Sequence, residues 1–457
     1  MKIALVFPPV YGVDFPHLGL AYIASQLKNE GHNIKVFCFN SRLYKEAGDK
    51  KRLWDWQNAN LWLDYQKIKE NFDIEDILDK WADEILDFGA GAIGFSVNTH
   101  SKLIAEKLAA KVKKKQQVVK VVFGGPFCSV GLDSGDMLNK DVDVYVRGEG
   151  EYIASQVFNK IGSGQPLSGI KGVVINNGSG FFDAGASGDH FPVDKIPFPG
   201  FEFFDLNSYE NKREIPIIFS RGCNYYCRFC CDKPIWGGYR MRSAENIAGE
   251  IKDHKEKFGR SAFKSNDLMI NGDLGELERL ADLLIKENFN ITWGGMARAR
   301  KDMTSVLLRK LKASGCAYLT FGIESGSSRV LRHMGKPLAD EVSITLKRVH
   351  EAGIKTNTLW IVGYPTETML DFLKTLLFLF KNRKHIDEFV NVSMCYIPQN
   401  SILQKQSEML GIKYDNCGNW YIDKRRNNHA VRKRRAFFIK LFAKSIGLYK
   451  GGIRRDN

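Results

Sequence analysis

The chain has 457 residues, more than one hydrophobic core usually serves, so at least two domains are expected. A hydrophobic fraction of 44% and an aromatic fraction of 12% exclude a disordered chain, and no stretch reaches the roughly twenty apolar residues of a membrane span. The net charge of +15 sits mostly in the tail, where twelve Lys or Arg from Lys424 onward face one acid, Asp456; the body is nearly neutral, which removes the argument for nucleic acid as a partner. Nine cysteines, four of them between 223 and 231, do not form a disulfide framework and indicate a reducing, cytoplasmic setting.

Residues 1–160 alternate strands and helices. Ile3–Phe7 reads as a buried strand, its apolar run closed by Pro8-Pro9 with no small-residue cleavage site. A helix over 19–29 stops near Gly31 and a strand follows over 34–39. A Trp-rich, charged helical insertion covers 51–71, and a further helix runs to Phe88. Strand 92–95, helix 102–115, and strands 118–123 and 142–146 complete a doubly wound α/β domain. Ligands of such sheets sit beyond the carboxyl ends of the strands, where this chain gathers glycine and small polar residues. The loops are Pro8-Pro9 with His17-Leu18-Gly19-Leu20, Ser96-Val97-Asn98-Thr99, Gly124-Gly125-Pro126, and Arg147-Gly148-Glu149-Gly150-Glu151. Residues 161–212 read as a Gly-, Ser- and Pro-rich connector with a short hairpin turning at Asn177-Gly178.

From 213 to 400 six strand candidates alternate with helices: 215–220, 268–270, 291–293, 318–321, 358–362 and 390–397. The first leads into Arg221-Gly-Cys-Asn-Tyr-Tyr-Cys-Arg-Phe-Cys-Cys231, which packs Cys223, Cys227 and Cys230 into eight residues. No His or Cys follows at the spacing that would complete a four-ligand zinc site, whereas an iron–sulfur cube held by three cysteines keeps one iron open. Cys231, Cys316 and Cys395 read as packed thiols. Later strand ends carry Asn271-Gly272-Asp273, the pair Arg298 and Arg300, Glu324-Ser325, Gly363, and Pro398-Gln-Asn-Ser401. One arginine suits a carboxylate clamp and the other a solvated or capping charge. Glu324 is either a ligand acceptor or a buried carboxylate pairing Arg298 or Arg300. Residues 401–457 form a C-terminal segment whose 432–447 stretch reads as a basic amphipathic helix with Phe437, Phe438, Leu441, Phe442 and Ile446 on one face. That face is expected to dock on the barrel, with an anionic membrane surface as the alternative and RNA as a third.

The spacing Cys223-x-x-x-Cys227-x-x-Cys230, with Phe229 before the third cysteine and a strand ahead, resembles the radical S-adenosylmethionine (SAM) superfamily. The motifs from Pro8 to Glu151 resemble the cobalamin-binding domain fused ahead of many radical SAM domains, and Val330–Lys336 also resembles the family. The resemblance implies an α/β chain: a Rossmann-like cobalamin-binding domain, a partial (β/α)6 TIM-barrel radical SAM domain, and a small helical C-terminal segment. It implies that Cys223, Cys227 and Cys230 hold a [4Fe-4S] cluster whose open iron chelates SAM. Around SAM it places Phe229, Asn271, Gly272 and Asp273, then Arg298, Glu324 and Ser325, with Gly363 near the adenine. For cobalamin it implies Pro9, His17, Leu18, Gly19, Ser96, Asn98, Thr99, Gly124, Gly125, Pro126, Arg147, Gly148 and Glu149. The Asp-x-His-x-x-Gly loop of cobalt-ligating domains is missing; Asp14-Phe-Pro-His17-Leu-Gly19 stands in its place with altered spacing. His17 is therefore a cobalt contact or a helix-entry residue, and base-off cobalamin without a protein imidazole is expected.

The activity this implies is a cobalamin-dependent radical SAM methyltransferase acting on an unactivated carbon of a small-molecule or lipid-like substrate, served by a flavodoxin- or ferredoxin-type electron donor. A cyclase or rearrangement enzyme with the same cofactors is the alternative, and a cobalamin-binding sensor is the reading from another class. A methylthiotransferase is disfavoured, because its N-terminal domain needs three cluster cysteines and only Cys38 and Cys128 precede the triad. The expected location is cytoplasmic, with peripheral contact at the inner face of the membrane through the basic helix.

Overall fold

The computed structural model describes residues 1–130, 138–187, 191–232, 236–415, 418–422 and 427–448. Parts of the 401–457 segment, including part of the basic run from Lys424 onward, thus lie outside the described residues. The chain divides into two units at residues 212 and 213, so 161–212 belongs to the first unit and the described part of 401–448 to the second.

The first unit is built on one sheet in the order β2-β1-β3-β4-β5-β6-β7. Strands β1 (Lys2–Phe7), β2 (Asn33–Cys38), β3 (Ala92–Ser96), β4 (Lys120–Gly124) and β5 (Val144–Val146) are parallel. Ile3, Ala4, Leu5 and Val6 are buried to within 1%. Such a continuous apolar run is what a parallel strand needs when helices cover both its faces. Gly94 admits the helix Gly150–Gly162: a Cβ there would lie 3.0 Å from the Phe158 ring. The hairpin β6 (Val173–Asn176) and β7 (Phe181–Asp183) is no separate connector element, because β6 pairs antiparallel with β5 and extends the sheet. The insertion predicted as helical over 51–71 is α-helical only at Tyr65–Asn71. Gly48–Trp54 and Trp56–Leu63 are 3-10 turns. Asp and Asn are poor helix interiors, and the turns are held instead by Trp62, fully buried with its indole N–H on the Leu53 carbonyl at 2.9 Å.

The second unit has six parallel strands in sequence order: β8 (Glu214–Ile217), β11 (Ala262–Ser265), β12 (Thr292–Ala297), β13 (Cys316–Glu324), β14 (Lys355–Val362) and β15 (Glu388–Met394). This is the (β/α)6 arrangement. Two boundaries correct the sequence reading. The second barrel strand is 262–265 rather than 268–270. Met269 and Ile270 are buried, but in a turn, where apolar burial mimics a strand. The first strand ends at Ile217, and β9 (Ser220–Arg221) pairs instead with β10 (Arg240–Met241), antiparallel. The C-terminal helix spans His429–Ser445 and packs on the edge strand β15 and on the helix Met369–Asn382. It docks by the face opposite to the predicted one. Arg432, Arg435, Ile439 and Ala443 are buried, while Phe437, Phe438 and Leu441 are exposed. The buried acceptors of the barrel decide this, since Glu367 draws Arg435 inward at 2.7 Å. Among the described residues no helix is long and apolar enough to cross a membrane.

Candidate active site

The cysteine loop is carried between the short strands β9 and β10. Ahead of it Asp267, buried in the turn after β11, accepts the backbone N–H of Phe219 at 3.1 and 3.0 Å and of Ser220, and the Ser220 hydroxyl at 2.6 Å. Burial raises the Asp267 pKa against these hydrogen bonds. Gly222 follows at φ +75°, where an added Cβ would stand 2.2 Å from the Gly238 carbonyl oxygen, so only glycine closes the base of the loop. Cys223, Cys227, Cys230 and Cys231 are all partly exposed. The Tyr225 N–H reaches the Cys223 sulfur at 3.5 Å, and the Cys230 N–H bonds the Cys227 carbonyl at 3.0 Å. The loop is anchored outward by the Arg228 N–H on the Met334 carbonyl at 3.1 Å and the Leu403 N–H on the Arg228 carbonyl at 2.7 Å. Burial and the neighbouring Asp232 push the Cys231 thiol up, away from ligand behaviour.

Two arginines follow β12, with different partners. The Arg298 guanidinium donates to the Cys227 sulfur at 3.5 Å and to the Gly335 carbonyl at 2.8 Å, and stacks on the Tyr225 ring at 3.7 Å. Arg300 pairs Asp302 at 2.6 Å and donates to the carbonyls of Asn271 and Gly272 at 2.7 and 3.1 Å. Neither arginine pairs Glu324. That carboxylate instead meets Lys336 at 3.1 Å, and the Lys336 ammonium lies 6.0 Å from the Phe229 ring. Glu324 has φ +70°, uncommon for a residue with a side chain and of a kind that gathers at functional sites. Gly322 makes room for the pair, since a Cβ there would lie 2.4 Å from a Glu324 oxygen.

Several other predicted contacts are occupied by the protein itself. The Asn271 side chain, fully buried, exchanges hydrogen bonds with the Arg298 backbone at 2.8 and 2.9 Å. Gly272 lies under Tyr239, whose ring would meet an added Cβ at 2.3 Å. Asp273 caps the helix Leu274–Lys286 through the Glu276 N–H at 3.0 Å. The Ser325 hydroxyl, buried, bonds Thr375 at 3.2 Å. Gly363, predicted to admit adenine, is instead covered by the tail: a Cβ there would stand 2.2 Å from Arg432 Cγ, and Asn427 donates to its carbonyl at 3.2 Å. Sequence reasoning missed Asp267, Tyr225 and Lys336 as partners; only Lys336, in the Val330–Lys336 run, carried any signal.

In the first unit the parallel strands run in the order 2-1-3-4-5, which puts a topological switch point between β1 and β3. There the Asn98 side chain donates to the Val10 carbonyl at 3.2 Å. His17 caps the helix Leu18–Asn29, its Nδ1 accepting the Leu20 N–H at 3.0 Å. Nδ1 is therefore unprotonated, and Nε2 carries the proton toward the Ser96 hydroxyl at 3.1 Å. Both ring nitrogens are engaged, and burial lowers the His17 pKa to about 4. This favours the helix-entry role over cobalt contact. Arg147 is likewise engaged, its Nη1 donating to both Asp183 carboxylate oxygens at 3.0 and 2.8 Å. Glu149 precedes the helix Gly150–Gly162 as its cap residue. Gly125, at φ +100°, is required by the chain's own packing, its Cβ position lying 2.8 Å from the Val97 carbonyl oxygen. Pro9, Thr99 and Gly148 lie in loops beyond the strand ends, Gly124 ends β4, Leu18 and Gly19 open the helix Leu18–Asn29, and Pro126 opens the short helix Pro126–Val130. A Cβ added at Gly12 or Gly148 would meet nothing within 4 Å, so there is open space at these two loop positions.

Among the described residues no three His, Cys, Asp or Glu side chains are gathered closely enough to share an ion. The three thiols nonetheless fit an iron–sulfur group chemically: soft donors, partly exposed, on one loop at a barrel strand end, with a guanidinium beside one sulfur. Residues 217–379 match the model of the Radical SAM superfamily. Those residues thus carry a radical SAM domain, and the chain is an enzyme. Its fold, a doubly wound sheet followed by a (β/α)6 unit, is shared with two solved structures. It matches the structure of OxsB, a cobalamin-dependent SAM radical enzyme solved with aqua-cobalamin and SAM, at TM-score 0.70 and 17% identity, over 97% of this chain and 66% of that one. It matches TsrM from Kitasatospora setae, a radical SAM methyltransferase solved with cobalamin and a [4Fe-4S] cluster, at TM-score 0.66 and 16% identity, over 86% of this chain and 74% of that one. In sequence it is 26% identical over 396 residues to the uncharacterized methyltransferase PH0819 of Pyrococcus horikoshii, covering 83% of this chain and 78% of that protein.

Proposed function

We propose that this chain is a cobalamin-dependent radical SAM methyltransferase that methylates an unactivated carbon of a small molecule. The observation that carries the reading is the pairing, in one chain, of the three-thiol loop at a (β/α)6 strand end with a parallel sheet of order 2-1-3-4-5 and its switch point between β1 and β3. Cys223, Cys227 and Cys230 would hold the cluster, and the loops after β1, β3, β4 and β5 would hold cobalamin. When bound, the cluster supplies the electron that cleaves SAM, and cobalamin supplies the methyl carrier. The residues of the chain bind and orient. Glu324, paired with Lys336 at 3.1 Å, offers acceptors to the ribose hydroxyls or the amine of SAM. Arg298 holds the loop against Gly335 and keeps a positive charge beside Cys227. His17, with both nitrogens hydrogen-bonded within the chain, would serve as a helix-entry residue rather than as a cobalt contact. The electron donor is a flavodoxin- or ferredoxin-type protein, and the cytoplasmic setting follows from the free thiols.

The test is anaerobic reconstitution with iron, sulfide, SAM, cobalamin and reductant, following 5′-deoxyadenosine and S-adenosylhomocysteine. Both products, dependent on cobalamin, are expected; deoxyadenosine without cobalamin dependence would remove the methyltransferase. Cys227→Ala should abolish deoxyadenosine formation while leaving cobalamin binding intact.

A further inference from the structure

Two packed helices on the outside of the second unit turn apolar side chains to solvent. On Met369–Asn382, Leu370, Leu373, Leu377 and Phe380 recur at three- and four-residue spacing with exposures of 70, 51, 51 and 45%, while Phe372, Thr375, Phe378 and Leu379 face the core. On His429–Ser445, Phe437, Phe438 and Leu441 are 64, 56 and 52% exposed. The helices are tied together, with the Arg435 guanidinium 5.7 Å from the Phe372 ring. Their exposed charges are all of one sign: Lys374 and Lys381 on the first, Lys433, Arg434 and Lys444 on the second. The single acid on either helix, Asp371, is buried on Ser327 and Arg329.

We propose that this face lies on the surface of an anionic lipid bilayer. Leucine and phenylalanine side chains on a rigid helix pair enter the boundary between headgroups and acyl chains, and flanking Lys and Arg meet the lipid phosphates. Charge separates this occupant from a second copy of the chain, since a two-fold contact would set the same basic rows against each other with no exposed acid on these helices to offset them. The proposal stands on these two helices alone and does not depend on the methyltransferase reading.

The experiment is sedimentation of the full chain with vesicles of phosphatidylcholine alone and of phosphatidylcholine with about one-third phosphatidylglycerol. Partition onto the anionic vesicles is expected to be at least roughly ten-fold stronger and to weaken with added salt. The pairs Leu373→Gln with Leu377→Gln, and Phe437→Ser with Phe438→Ser, change no charge and touch solvent, so melting temperature should hold while partition falls about ten-fold. Equal or absent binding to the two vesicle types would overturn the proposal. Binding that survives both apolar pairs would overturn it too, by assigning attachment to the basic run alone. A dimer of the parent chain that either pair converts to monomer would overturn it in favour of a second copy.

Discussion

Arg298 divides its guanidinium among the Cys227 sulfur, the Gly335 carbonyl and the Tyr225 ring, at 3.5, 2.8 and 3.7 Å. Hydrogen bonds and positive charge at a cluster sulfur favour the reduced state. Arg298→Met is therefore expected to lower the cluster midpoint potential by tens of millivolts, and Arg298→Lys to restore part of it; redox titration followed by electron paramagnetic resonance reads both. His17 makes the opposite kind of statement, a group held neutral. Its pKa in the fold, about 4, lies below the ordinary value of 6.5, so the unfolded chain takes up a proton that the fold refuses. Stability is lost as pH falls from about 6.5 and levels off below about 4, by at most about 3 kcal/mol. Denaturant melts of the parent chain and His17→Gln at neutral and acid pH should show the pH slope flatten in the variant. An unchanged slope would assign the loss to other groups.

Among the elements, the docked tail shows how far a helical pattern can mislead. The periodicity of Phe437, Phe438 and Leu441 marks an apolar face correctly, yet the helix seats its arginine face. Arg435 meets the Glu367 carboxylate at 2.7 Å, and Arg432 stacks on Trp420 at 3.8 Å while donating to its carbonyl at 2.7 Å. Burial pushes the Glu367 pKa up to about 7, and Arg435 works against that shift. Arg435→Met leaves a buried carboxylate without its partner and is expected to cost about 3–5 kcal/mol, read as a fall in melting temperature; adding Glu367→Gln should recover much of it. The same logic explains the strand boundaries. Leu268–Ile270 has a strand's composition but follows Asp267, whose carboxylate caps the N–H groups of Phe219 and Ser220 and so fixes the approach to the cysteine loop.

At the scale of the molecule, two units each carry a parallel sheet, and ligands of such sheets sit at the carboxyl ends of the strands. Hydrogen exchange should resolve them separately. Cobalamin is expected to slow exchange in 8–19, 97–101 and 124–126, and SAM with a reconstituted cluster in 222–232 and 298–300. Protection confined to one region with both ligands present would break the two-cofactor reading. The alternation of strands and helices, the three-cysteine spacing and the loop glycines were all legible in the residues, because each depends on neighbours a few positions apart. The spacing of Cys223, Cys227 and Cys230 is local chemistry on one loop, and Gly222 is dictated by a turn. What only the tertiary structure decided are the partners: Lys336 rather than an arginine for Glu324, Cys227 for Arg298, Ser96 for His17, and Arg432 in the space beside Gly363. These pairs join residues from 12 to 79 positions apart, brought together by the packing of separate elements, and no local pattern encodes which charge will find which.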